Sequence, residues 1–69
     1  MPAYERVMVT GGSGRLGSHA VDELRPDYHV TVLDRVPPSQ DVAFIEADIE
    51  DRDTLAKAFT GMDAVIQLA

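Results

Sequence analysis

A chain of 69 residues makes at most one small domain, and a domain of that size buries only about 60% of the surface its unfolded form exposes. It has no cysteine, which removes disulfides, thiol catalysis and thiolate metal sites, while a hydrophobic content of 45% is enough for a packed core rather than disorder. Six basic against twelve acidic residues leave a formal charge of -6, which repels nucleic-acid phosphates and anionic membrane surfaces. Apolar runs reach about four residues, far short of the roughly 20 that span a bilayer. The start, Met1-Pro2-Ala3-Tyr4-Glu5-Arg6, lacks the apolar region of a signal peptide. The expectation is a cytoplasmic protein that binds neither nucleic acid nor membrane.

In chain order, residues 5–10 read as a first strand. Val7, Met8 and Val9 are continuous rather than alternating, which implies burial on both faces, as in a parallel sheet. The glycine-rich stretch Thr10-Gly11-Gly12-Ser13-Gly14-Arg15-Leu16-Gly17 follows. Residues 15–25 have helical spacing, with Leu16, Ala20, Val21 and Leu24 on one face, and Pro26 stops the helix. Val30 to Leu33 read as a second strand ending at Asp34. Residues 35–41 contain Pro37-Pro38-Ser39, a loop composition with no room for a helix. Val42 to Ile45 read as a third strand. Parallel neighbours usually need a crossover of a dozen or more residues, and this connection has about seven. Either an extended loop makes the crossing or the third strand lies elsewhere; the extended loop is the reading adopted. Asp51 or Asp53 caps a second helix over residues 52–59, where Leu55, Ala58 and Phe59 share a face. Gly61 is the expected left-handed terminator, and residues 63–68 form a fourth strand. No repeat or low-complexity segment is visible.

Strand, helix, strand, strand, helix, strand predicts an α/β fold: a Rossmann-type parallel sheet in the order 3-2-1-4, with helices on both faces. The order reverses between strands 1 and 4. Ligands bind at such a switch point, outside the carboxyl ends of the strands, and the glycine loop sits there.

Glycines between a buried strand and a helix leave backbone N–H groups facing outward at the positive end of the helix dipole, an arrangement that suits a phosphate. Gly12, Gly14 and Gly17 give G-x-G-x-x-G, and Gly11, Gly14 and Gly17 give G-x-x-G-x-x-G. The alternative is an ordinary Gly-rich turn. No Gly-Lys-Ser/Thr follows, so a nucleoside-triphosphate loop is disfavoured. Asp34 lies 17 positions after Gly17, near the roughly 20 expected of an acid that accepts from both ribose hydroxyls of a dinucleotide. Its charge opposes a 2′-phosphate and favours NAD over NADP. Arg15 and Arg35 are either solvated or placed to meet such a phosphate. Asp48-Ile49 either contacts adenine or caps the next helix. Gln67-Leu68-Ala69 either lets a cofactor approach closely, through its small apolar residues, or simply ends a strand. His19 and His29 have no partners at metal-ligand spacing, and no metal site is expected.

These residues resemble the extended short-chain dehydrogenase/reductase family, the NAD-dependent epimerase/dehydratase group. Thr10 to Gly17 is similar to its T-G-x-x-G-x-x-G fingerprint. Its ribose acid falls on Asp34, and its adenine-side Asp-hydrophobic pair on Asp48-Ile49. Gly61-Met62-Asp63-Ala64-Val65-Ile66-Gln67-Leu68-Ala69 resembles the family's G-x-D-x-V-I-H-L-A run, with Gln67 where His is usual. The resemblance implies cofactor contacts from Gly11, Gly14, Arg15, Leu16, Gly17, Asp34, Arg35, Asp48, Ile49, Leu68 and Ala69. It also implies hydride transfer on a sugar nucleotide or similar small molecule. The family's catalytic Tyr-x-x-x-Lys is not here: four positions after Tyr4 stands Met8, and four after Tyr28 stands Val32. The expectation is the N-terminal part of an NAD(P)-binding domain in an enzyme of several hundred residues, without catalytic residues of its own. A non-catalytic dinucleotide sensor of the same fold, or a small standalone α/β module binding a nucleotide or a protein, are the alternatives. Open edges at strands 3 and 4 predict that the isolated chain is marginal or self-associates.

Overall fold

The structure, a computed structural model, describes residues 5–48 and 50–68. Four strands and two helices follow one another as β1 (Arg6–Thr10), α1 (Arg15–Leu24), β2 (His29–Asp34), β3 (Ala43–Glu46), α2 (Arg52–Phe59) and β4 (Ala64–Gln67). The strands pair in parallel in the order β3-β2-β1-β4. Val9 lies between Val32 and Ile66, and Leu33 pairs with Ile45.

The continuous apolar run of β1 is explained by a sheet covered on both sides. Val9 packs with Val30, Val32 and Val21 of α1, while Met8 faces the other way and packs with Leu33 and Ala58 of α2. Met8, Val9, Val21 and Val32 are completely buried. Each such side chain contributes about 1.5–3 kcal/mol of transfer free energy, so these two thin layers carry most of the stability.

The buried face of α1 differs from the expected one. Leu16 is 69% exposed, and the residues turned inward are Gly17 and Val21, with Leu24 half-buried beside them. Gly17 scores as no hydrophobe, yet it sets the face, because its missing side chain lets the helix touch the turn before it. Leu16, rotated about 100° away, is left toward solvent at the carboxyl end of the sheet.

The short crossing from β2 to β3 is made by an extended loop, residues 35–42. Thr31 pairs with Ala43 and Asp34 with Glu46, so the chain must step back only about 10 Å along the strand axis. Eight extended residues reach up to about 26 Å, and no helix is needed. The loop is tied to α1 by the Gln40 amide, whose Nε2 donates to the Ser18 carbonyl at 3.1 Å, Ser18 Oγ at 2.9 Å and Asp22 Oδ1 at 3.2 Å. β3 begins one residue later than expected, since Val42 is spent on the turn, its N–H meeting the Gln40 carbonyl at 3.1 Å.

Asp51, rather than Asp53, caps α2: its carboxylate accepts from Thr54 N–H at 3.2 Å and Thr54 Oγ1 at 2.7 Å. The Thr54 hydroxyl, with the Thr54 N–H, holds the Asp51 carboxyl below its ordinary value of 3.8. A carboxyl lowered on folding stabilises the fold above its unfolded pKa and loses that contribution as pH falls through the folded pKa. Amide-exchange protection of α2 is therefore expected to fall in acid below the ordinary carboxylate range, and Asp51→Ala to remove that pH dependence. Gly61 follows with φ +81°, the left-handed conformation that ends the helix.

Candidate functional site

β1 runs into the glycine turn at Thr10, which is fully buried. Its hydroxyl donates to the Ile66 carbonyl at 3.4 Å, and its own carbonyl accepts the Leu68 N–H at 3.0 Å. The end of β4 is thus tied beside the turn. Gly11 has φ +76° and donates to the Leu33 carbonyl at 2.9 Å, carrying the ladder one residue past the strand. That backbone conformation is cheap only for glycine.

The other glycines separate by what surrounds them. A Cβ on Gly17 would lie 2.2 Å from the Gly11 carbonyl oxygen, and one on Gly12 would lie 2.8 Å from a Val32 methyl. Both are required by the chain's own packing. Gly14 is different. Its φ of -76° suits any residue, and a Cβ there meets only the Gly11 oxygen at 3.5 Å, an ordinary contact.

Gly14 also caps α1 without a side chain, and the first turn of that helix holds no acid. Among the described residues, the N–H groups of Gly12, Arg15, Leu16 and Gly17 meet no acceptor. Those of Arg15, Leu16 and Gly17 belong to the first turn of α1, at the positive end of its dipole and outside the carboxyl ends of the strands, and the free donors of a helix N-terminus attract an anion.

Asp34 closes β2 next to this turn. Its Oδ2 accepts the Ser13 N–H at 3.1 Å and its Oδ1 accepts the Arg35 N–H at 2.6 Å. A carboxylate oxygen has two acceptor positions, so each keeps one for a further donor. Arg15 and Arg35 are exposed, and neither forms an ion pair among the described residues. Asp48 is exposed and shapes the entry to α2, its Oδ1 accepting Glu50 N–H at 3.0 Å and its carbonyl accepting Asp51 N–H at 2.9 Å. Among the described residues its Oδ2 meets no donor. Leu68, 38% exposed, flanks the turn from the β4 side. Ile49 and Ala69 lie outside the described residues.

The structure thus brings Gly11, Gly14, Arg15, Leu16, Gly17, Asp34 and Arg35 to one end of the sheet, with Leu68 at its border. It adds two residues to that set. Gly12 was legible in the G-x-G-x-x-G spacing. Ser13 was not, because its contacts depend on where residues 34–36 pass. Among the described residues, no group of three His, Cys, Asp or Glu side chains is placed to hold a metal, and no helix is long and apolar enough to cross a membrane. A separate open groove, lined by Arg6, Arg25, Tyr28, His29 and Met62, lies at the opposite, amino end of the strands.

Fold and turn together define a doubly wound α/β protein with a glycine turn and a helix N-terminus at its topological switch point. The chain belongs to the NAD dependent epimerase/dehydratase family, whose family model matches residues 7–69. It is similar to the UDP-glucose 4-epimerase of Bacillus subtilis, 34% identical over 91% of this chain and 23% of that protein. Among solved structures it is similar to an epimerase from Methanothermobacter thermautotrophicus, with 30% identity, a TM-score of 0.81 and coverage of 96% of this chain and 23% of that one. A short-chain dehydrogenase/reductase superfamily protein from Agrobacterium tumefaciens, solved with bound NAD, matches with 30% identity and a TM-score of 0.85 over 94% of this chain and 20% of its own. The chain spans between a fifth and a quarter of the length of these proteins.

Proposed function

We propose that the chain is the adenosine- and pyrophosphate-binding part of an NAD-dependent enzyme, cytoplasmic and longer than this segment, that acts by hydride transfer on a sugar nucleotide or similar small molecule. The observation that carries the reading is Gly14. Among the described residues nothing requires glycine at that position, yet it stands beside the N–H groups of Gly12, Arg15, Leu16 and Gly17, which meet no acceptor there. A ligand approaching from outside supplies the missing requirement, and a pyrophosphate matches both the donors and the dipole.

In this reading the turn from Gly11 to Gly17 holds the pyrophosphate, and Leu16 lies against the cofactor instead of the core. Asp34 accepts from the ribose hydroxyls with its two remaining acceptor positions. A 2′-phosphate would meet the same carboxylate as a like charge, so NAD is preferred to NADP. Asp48 and Ile49 flank the adenine, and Leu68 and Ala69 let the cofactor cross toward the substrate side. Arg15 and Arg35 add a favourable field for the phosphates. When bound, NAD supplies hydride-transfer chemistry at its nicotinamide ring. The residues of this chain bind and orient it; neither tyrosine has the lysine four positions on that acid/base work in this family uses.

Gly14→Ala and Gly14→Val in the full-length protein test this. Alanine at this N-cap is expected to cost no more than about 1 kcal/mol of stability. NAD affinity is expected to fall at least about tenfold, and further for valine, because the new methyl occupies the approach of the phosphate. Unchanged NAD affinity in both variants would remove the basis for the reading.

A further inference from the structure

The geometry points to Ser13 as a positioning residue for nucleotide selectivity, fixing the Asp34 carboxylate in the orientation that accepts a 2′-hydroxyl and turns away a 2′-phosphate. This rests on the dinucleotide reading above and adds a second determinant to it.

Ser13 touches the tripeptide Asp34–Val36 twice. Its N–H donates to Asp34 Oδ2 at 3.1 Å, and its hydroxyl donates to the Val36 carbonyl at 2.6 Å. A third bond, from Arg35 N–H to Asp34 Oδ1 at 2.6 Å, completes a ring that joins the phosphate turn to the end of β2. Both carboxylate oxygens are therefore held by backbone donors. The group cannot rotate without breaking a bond, so its remaining acceptor positions keep a fixed direction.

The ring depends on the hydroxyl because little else holds that stretch. Val36 is 56% exposed. The next anchor of the 35–42 loop is Gln40, whose amide meets Ser18 and Asp22 on α1. Among the described residues, no hydrogen bond holds positions 37–39 in between. Loss of the Ser13 hydroxyl frees the segment from Arg35 to Ser39. The Arg35 N–H is then free to leave Asp34, and the carboxylate to swing aside. The exposed Arg35 guanidinium, which forms no ion pair among the described residues, becomes free to meet a 2′-phosphate. A single substitution in the turn thus acts on recognition through the loop and not through contact with the cofactor.

The test is calorimetric titration of the full-length protein with NAD and with NADP, for wild type, Ser13→Ala and Ser13→Thr. Alanine keeps the N–H and removes the hydroxyl; threonine keeps both. Ser13→Ala is expected to weaken NAD about fivefold, the worth of one hydrogen bond, while NADP affinity holds or rises, so that the preference narrows by at least that factor. Ser13→Thr is expected to restore the wild-type preference. A role in stability alone would lower both affinities together, and an unchanged NAD-to-NADP ratio in Ser13→Ala overturns the proposal. So does a threonine variant as relaxed as the alanine one. Wild-type protein that binds neither dinucleotide defeats the functional reading itself, a result distinct from either of these.

Discussion

Gly17→Ala is expected to destabilise the chain by about 3 kcal/mol or more and to abolish NAD binding with it. The added Cβ would lie 2.2 Å from the Gly11 oxygen, 2.7 Å from Gly12 Cα and 2.9 Å from the Gly11 carbonyl carbon. All three are backbone atoms, so no rotamer relieves the clash. α1 must lift by about 1 Å to reach ordinary contact. Val21 then leaves its contacts with Val9, Val30 and Val32, and the N-terminus of α1 moves away from the glycine turn. A small single-core domain has only about 3–5 kcal/mol in hand. The sign is informative. Inside an unconstrained helix, Gly to Ala stabilises by about 1 kcal/mol, so a rise in the denaturation midpoint would mean that the turn and helix do not meet as described. Gly14→Ala, three positions earlier, is the matched comparison: it keeps the fold and alters the ligand.

The second large effect is expected at Asp34. Asp34→Ala should weaken NAD binding by about ten- to a hundredfold, the range for losing hydrogen bonds to a charged acceptor, and raise NADP affinity by removing the like charge. The preference between the two is then lost or reversed, helped by Arg15 and Arg35. The cost to folding should be smaller, because what is left behind is a half-buried Ser13 N–H and an exposed Arg35 N–H, the latter open to water. Parallel titrations with NAD and NADP, with thermal melting of the same variant, separate the two effects. Unchanged NAD affinity would make Asp34 a turn residue only.

Much of the architecture was legible because its signals are local and redundant. The run Val7-Met8-Val9 announced a strand buried on both faces, and Met8 and Val9 face opposite helices. Asp51 and Gly61 bracket α2 through a side-chain cap and a positive φ, both of which follow from residue type. The strand order followed from connection handedness. What was hidden depends on distance in space. Leu16 fits the apolar periodicity of α1, but periodicity cannot tell a core position from an apolar side chain kept at a surface. Gly17 marks the packed face by lacking a side chain and so adds nothing to a hydrophobic pattern. The β2–β3 crossing looked too short because the usual crossover carries a helix; here β3 is four residues long, and little chain is needed to pass it. Ser13 gave no signal at all, since its partners are set by the path of the loop 23 positions on.

The bond pattern at the turn also separates its donors into two kinds. Ser13 N–H is committed to Asp34, while those of Gly12, Arg15, Leu16 and Gly17 meet no acceptor among the described residues. The glycine turn and Asp34 are thus one connected unit, and preorganisation of this kind spares a ligand the entropy of ordering its site.

The most direct test of the central claim is amide chemical-shift mapping of the isotope-labelled full-length protein during titration with NAD. The account predicts the largest shifts at Gly12, Arg15, Leu16 and Gly17, with coupled changes at Ser13 and Arg35 and none around Arg6, Arg25 and His29 at the far end of the strands. Shifts confined to that far groove, or no shift at saturating NAD, would contradict it.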